Sequence, residues 1–165
     1  MKILTIVRHA KSSWKDTSLS DKKRLLNRRG ERDAPIMGER IHAHGIRPSL
    51  IVSSPATRAW TTAKIVAQAI NYPLEFLQKE ENLYLASLDD ILDVVIAQDN
   101  TFNNMMLVGH NPGLTDFANF LVPGLTHNLP TAGVVSVKIE QDDWSLYERP
   151  STELLVHDWP KKEHR

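Results

Sequence analysis

The chain has 165 residues, enough for one domain with a sizeable core and too few for two full enzyme domains. Its 20 Lys and Arg balance 20 Asp and Glu, so no sequence-wide field draws it to nucleic acid or an anionic membrane, and any anion specificity must be local. A composition of 41% hydrophobic and 24% charged residues fits neither a disordered nor a fibrous chain, and the lack of cysteine excludes a disulfide framework, a thiolate nucleophile and Cys-type metal sites.

The first apolar run, Ile3 to Val7, is short, β-branched and not strictly alternating, as expected of a strand buried on both faces. It is too short for the core of a signal peptide. No run approaches the roughly 20 apolar residues of a membrane span, so a soluble, cytoplasmic protein is expected. A polar loop is predicted from Lys11 to Lys23, then a helix from about Asn27 to His44 with Gly45 as its stop. Pro35 inside that helix predicts a late start or a kink.

Leu50 to Ser53 reads as a second buried strand. Ser54-Pro55 then supplies an N-cap with proline at the first helical position, opening a helix to about Ile70. A short extended piece near Leu74 to Leu77 precedes Ser87 and Asp90, a capping-box pair for a helix over Leu88 to Gln98 that carries Ile91, Leu92 and Val95 inward. Met105 to Val108 is a third buried strand, followed through Gly109-His110-Asn111-Pro112-Gly113 by a short helix over Leu114 to Leu121. Gly133 to Ile139 and Trp144 to Tyr147, joined by Glu140 to Asp143, predict a closing hairpin or two late strands. The expectation is a single α/β domain over residues 1–160, its central sheet mostly parallel, with a frayed tail over 161–165.

Ligand sites of open α/β sheets form outside the carboxyl ends of the strands. There the first strand ends in Arg8-His9-Ala10-Lys11-Ser12, the second leads through Ser53-Ser54-Pro55-Ala56-Thr57 to Arg58, and the third ends in Gly109-His110-Asn111. Two guanidiniums offer planar donor forks to phosphate oxygens, and Arg58 sits in a helix's first turn, where backbone N–H groups also favour an anion. A neutral imidazole is a nucleophile toward phosphorus, and a protonated one donates to developing negative charge, so two histidines can divide those tasks.

The segments RHAKSSW, LNRRGERDAP, IVSSPATRAWTTA, VGHNPG and LPTAG, spread over positions 8 to 133, resemble the histidine phosphatase superfamily in its short, SixA-type phosphohistidine phosphatase branch. The resemblance implies a three-layer α/β sandwich of the phosphoglycerate mutase-like fold. It makes His9 the nucleophile that becomes phosphohistidine, Arg8 and Arg58 the clamp on the phosphoryl oxygens, and His110 a second pocket histidine donating to them as a cation. Ser12 and Asn111 become further phosphate-binding candidates. Ala10 stands where the family has Gly, which is tolerated unless that position needs φ > 0. Larger relatives carry a carboxylic acid that protonates the leaving group; Glu80 and Glu81 lie where it would be sought, and neither falls in register.

The resemblance therefore implies a metal-independent hydrolase with no cofactor, acting on phosphohistidine in proteins. An imidazole leaves far more easily than an alkoxide and needs no strong acid. A phosphomonoesterase acting on a small metabolite and a non-catalytic phosphoprotein-binding module are the alternatives. A metal-dependent hydrolase ligated by His9 and His110 is disfavoured by the flanking arginines. His42 and His44 do not share a helix face and read as structural or surface residues, as do Asp89, Asp90 and Asp93 in a solvated first turn. Trp14, Trp60, Trp144 and Trp159 read as core or rim packing. The Asn27 to Arg32 stretch reads as a solvated helix start that a protein partner could also meet.

Overall fold

A computed structural model describes residues 1–163. Six strands and four α-helices alternate along it: β1 (Lys2–Arg8), α1 (Arg28–Ala43), β2 (Leu50–Ser53), α2 (Thr57–Ala69), β3 (Gln78–Lys79), α3 (Leu88–Ile96), β4 (Asn104–Gly109), α4 (Gly113–Leu121), β5 (Val134–Ile139) and β6 (Thr152–Asp158). The sheet order is β3-β2-β4-β1-β5-β6. The pairings among β3, β2, β4 and β1 are parallel, and β5 and β6 close the other side as antiparallel additions.

The strands are apolar on both faces because both are covered. Leu4, Ile6, Leu50, Val52, Met105 and Leu107 point to one side, where they pack with Ile91, Val95, Leu114 and Phe117 of α3 and α4. Val7, Ile51, Met106 and Val108 point to the other, against Met37 and Ile41 of α1 and Ala59, Ala63 and Val66 of α2. This gives a single-domain, three-layer α/β sandwich. Burying each Leu, Ile or Val side chain contributes about 1.5–3 kcal/mol, so the central strands dominate its stability.

Local signals account for both ends of α1 and the start of α3. Asn27 caps α1, its side chain accepting from the Gly30 N–H at 2.8 Å, and Gly45 takes φ 76° just beyond His44. The helix runs unbroken through Pro35, so the expected late start is not found; Pro35 is exposed on the outer face, where the missing N–H bond is best tolerated. Ser87 and Asp90 form the expected reciprocal capping box of α3. Ile91 and Val95 are buried as expected, whereas Leu92 is only partly buried and Val94 takes its inward place.

Three expectations are corrected. Helix α2 begins at Thr57, not Pro55, and its capping residue is Ala56, because the Ser54 hydroxyl is engaged elsewhere. Leu74–Phe76 is a turn of 3-10 helix rather than an extended piece, and the strand follows it at Gln78. The partner of β5 is β6, not Trp144 to Tyr147. Trp144 is a fully buried core side chain whose indole N–H donates to the Phe102 carbonyl at 2.9 Å. Strand β6 is an edge strand, mostly solvent-facing, with an irregular register opposite Ser136/Val137, so it lacks a buried-strand pattern. Of the expected tail, Lys162 bonds back to the His157 carbonyl at 2.6 Å, and residues 164–165 lie outside the described residues. Among the described residues no helix is long and apolar enough to cross a membrane.

Candidate active site

Adjacent strands β1 and β4 run in parallel register, Arg8 opposite Gly109, so that the next residue of each, His9 and His110, leaves the sheet at the same edge. The backbone continues the ladder one step further, with His9 N–H donating to the Gly109 carbonyl at 3.0 Å and Ser54 N–H to the Val108 carbonyl at 2.9 Å. The two imidazole rings lie 5.1 Å apart, centroid to centroid, tilted by 54°. They share a cavity of about 570 Å³ with Arg8, Arg58, Lys11, Ser12, Trp14 and Asp21, among others.

His9 is buried, and its Nδ1 lies 2.7 Å from the Ala10 carbonyl. A carbonyl only accepts, so Nδ1 carries the proton and Nε2 keeps the lone pair. Burial lowers the His9 pKa to about 4, opposed by the Ala10 bond and reinforced by Arg58, Arg8 and Arg24, so the ring is neutral near pH 7. Ala10 is not among the residues with positive φ, so its methyl in place of hydrogen is accommodated.

His110 is buried too, its Nε2 2.7 Å from the Ser54 hydroxyl. That hydroxyl also accepts from the Ala56 N–H at 3.2 Å. Ser54 thus supports the second histidine instead of capping α2. Burial, then His9 and Arg58, push the His110 pKa down to about 3, so the side chain expected to act as a cation is neutral here. In the tautomer that accepts the Ser54 proton at Nε2, it donates from Nδ1. That Nδ1 and the Nε atoms of Arg8 and Arg58 are buried without a protein partner. Buried donors left unmatched by protein are unusual, and these three fit an oxyanion.

Both arginines are held from behind. Arg8 Nη1 donates to the Leu129 carbonyl at 3.0 Å, and Arg58 is gripped by Asp21, through the backbone carbonyl at 2.7 Å and the carboxylate at 3.1 Å. Asp21 also receives Arg24 Nε at 3.1 Å and the Tyr84 hydroxyl. The Tyr84 bond is the main reason its pKa falls to about 2, with Arg58 and Arg24 adding to it against the cost of burial. Asp21 is the one carboxylate among the described residues lining the cavity, against Arg8, Lys11, Lys15, Arg24 and Arg58. The local field is therefore cationic although the chain is neutral overall.

The remaining candidates separate. Ser12 lines the cavity, but its hydroxyl receives Arg24 Nη1 at 2.7 Å. Asn111 also lines it; its Oδ1 accepts from Thr115 N–H and hydroxyl, and its Nδ2 donates to the Leu129 carbonyl and Asn128, so the side chain ties the start of α4 to the Leu129 loop. Glu80 and Glu81 are not brought to the cavity: Glu80 caps its own turn by accepting from Asn82 N–H, and Glu81 pairs with Lys22 at 2.7 Å. His42 and His44 are exposed, and no group of three potential metal-ligating side chains occurs among the described residues. Asp21, Arg24 and Tyr84 are not singled out in the sequence, and Ser54 reads there only as a helix cap. Asp21 and Arg24 stand within or beside a stretch that reads only as polar loop, and the one usable hint was a single Asp directly before Lys22, Lys23 and Arg24.

Comparison with known proteins agrees with this geometry. A family model for the histidine phosphatase superfamily (branch 1) matches residues 4–83. An uncharacterized chloroplastic protein of Arabidopsis thaliana is 32% identical over 149 residues, covering 86% of this chain and 68% of its own length. Among solved structures, SixA from Agrobacterium tumefaciens superposes with a TM-score of 0.82 at 25% identity, covering 96% of this chain and 98% of that one. A mycobacterial glucosyl-3-phosphoglycerate phosphatase in complex with VO3 superposes with a TM-score of 0.68 at 14% identity, covering 94% and 98%. The chain belongs to the histidine phosphatase superfamily.

Proposed function

We propose that this phosphatase hydrolyses phosphohistidine in proteins, in the cytoplasm and without a metal, through a covalent intermediate on His9. The observation that carries the reading is the fixed tautomer of His9, whose lone pair is on Nε2 in a cavity shared with the buried Arg58 and the half-buried Arg8. In the first step Nε2 attacks phosphorus and the substrate P–N bond breaks. The substrate ring, already protonated at its other nitrogen, leaves as neutral imidazole and keeps the electron pair of the broken bond. In the second step water attacks phosphorus, the P–Nε2 bond breaks, its electron pair returns to His9, and inorganic phosphate leaves. Arg8, Arg58 and His110 Nδ1–H hold the equatorial oxygens while charge develops on them. Ser12 and Asn111 keep Arg24 and the Leu129 carbonyl in place around that clamp, and the 1–160 stretch acts as one catalytic domain.

The state of the cavity carboxylate supports this substrate class. The cavity carboxylate, Asp21, is ionised at any ordinary pH, so it delivers no proton to an alkoxide. A phosphoramidate does not need one, because imidazole is a good leaving group. The structural neighbour described as the protein histidine phosphatase SixA complexed with tungstate fits this reading. The fold likeness to a glucosyl-3-phosphoglycerate phosphatase favours the second reading, a small-metabolite monoesterase. Phosphate release with chelator present, from a phosphohistidine protein beside an alkyl phosphate, tests both. Release at least about tenfold faster from phosphohistidine is expected. A preference for the alkyl ester establishes the second reading, and anion binding without release establishes a binding module.

A further inference from the structure

Two side chains at the cavity are placed against ordinary folding preference. Trp14 is 73% exposed although it is the largest apolar side chain on that wall. One face of its indole lies on the Arg24 guanidinium, 3.5 Å from ring centroid to Arg24 carbon. Arg24 is itself fixed by Asp21, the Ser12 hydroxyl and the Ser13 carbonyl. The indole is thus held on a rigid cationic support while its other face stays open. Leu85 lines the same cavity, is 57% exposed and adopts φ 48°, a left-handed conformation that a leucine rarely takes. Its neighbours Leu83 and Ala86 are buried anchors, and Tyr84 between them bonds Asp21, so the chain is pinned on both sides of the strained residue.

Folding gains little from either side chain in this position. Exposed apolar groups beside a cationic cavity fit a ligand with a phosphoryl head and a flat apolar body. Building on the proposed phosphatase activity, we propose that Trp14 and Leu85 are the specificity-determining pair that grips the imidazole ring of the substrate phosphohistidine, the ring stacking on the free indole face while the phosphoryl group enters the arginine clamp. An imidazole stacks on indole by the same offset π contact that aromatic pairs use. The grip belongs to the leaving group and not to the phosphoryl group, so it acts on substrates that carry a ring and not on those that lack one.

The test compares phosphohistidine with the ringless phosphoramidate ion, both with chelator present, for wild type, Trp14→Ala, Trp14→Phe and Leu85→Ala. The quantity read is the ratio of kcat/KM for phosphohistidine to that for phosphoramidate, in which the intrinsic difference between the leaving groups cancels across variants. We expect Trp14→Ala to lower the ratio about tenfold, mainly by raising KM for phosphohistidine. Trp14→Phe should recover most of the loss, and Leu85→Ala should lower the ratio about threefold. If wild type turns over both substrates and the alanine variants change both by the same factor, the grip is overturned and the phosphatase activity stands. If wild type releases phosphate from neither, the phosphatase reading itself is overturned.

Discussion

Asp21 and Arg58, 37 positions apart, are joined through both terminal nitrogens of the guanidinium, one to the Asp21 carbonyl and one to its carboxylate. Arg58 alone would sit unfavourably in the first turn of α2, against the positive end of the helix dipole. Asp21 offsets that cost and fixes the plane of the guanidinium, leaving Nε without a protein partner. Replacing Asp21 by Asn keeps the shape and removes the charge. We expect Asp21→Asn to leave the fold intact and to lower kcat/KM about tenfold through a looser Arg58, whereas Arg58→Ala lowers it by about a hundredfold or more. Steady-state kinetics on phosphohistidine would check this, and an Asp21→Asn variant as slow as Arg58→Ala would show that Asp21 does more than position.

His9→Ala removes the proposed nucleophile, and with it the proposed covalent route. A loss of about a thousandfold or more is expected, together with loss of the acid-labile phosphate that rapid quenching should trap on the wild-type chain. Trapped phosphate on any residue other than His9 contradicts the assignment.

The pH dependence of stability has a definite sign. His9 and His110 have native pKa values of about 4 and about 3, below the ordinary value of 6.5. Between pH 6.5 and about 4 the unfolded chain therefore binds protons that the native chain refuses, and stability falls as pH is lowered through that window. Urea midpoints at pH 7 and pH 5 should show the drop, and it should shrink in His9→Asn and His110→Asn. Asp21 acts in a lower window. Its pKa is depressed to about 2, so its contribution is present above about 4 and lost as pH falls toward 2, and solvent screening keeps it small because the side chain is 41% exposed.

Glu80→Gln and Glu81→Gln should leave phosphate release within about twofold of wild type on both phosphohistidine and alkyl phosphate. Neither carboxylate lines the cavity, and a charge on an exposed pair such as Glu81 with Lys22 contributes only about 0–1 kcal/mol. A selective slowing of alkyl ester hydrolysis in either variant would identify the missing acid and revise the substrate class.

At Gly30, in the first turn of α1, a Cβ would come within 2.1 Å of the Lys11 carbonyl, which also accepts from the Asn27 N–H. Gly30→Ala must push the Lys11 to Ser13 loop outward. A destabilisation of about 1–3 kcal/mol, as for overpacking elsewhere, should accompany a raised KM, because that loop carries Ser12 and leads to Trp14 at the cavity. Calorimetry and kinetics on the same variant would show whether the two effects travel together.

The central strands were legible in sequence because burial on both faces leaves contiguous apolar runs, and Leu50–Ser53 is bounded as its residues predict. The capping box at Ser87 and the stop at Gly45 were legible because both are local chemistry. Arg8, His9, Arg58 and His110 were legible as a set because the carboxyl ends of parallel strands converge on one rim in any such sheet. Strand β6 was not, since an edge strand facing solvent carries no periodic burial signal. Nor was Ser54, whose hydroxyl reads as a helix cap until His110 arrives from 56 positions away to claim it.

By itself the sequence determined the buried strands, the order of the main elements and the gathering of two arginines and two histidines at the strand ends, all of which follow from hydrophobic pattern and strand-end position. Only the tertiary structure decided which His9 nitrogen is free, that His110 is neutral, that Asp21 is the cavity's carboxylate and that Trp14 lies open on Arg24. Those facts depend on atoms meeting across loops of irregular path, where no repeat in the sequence records the distance between them.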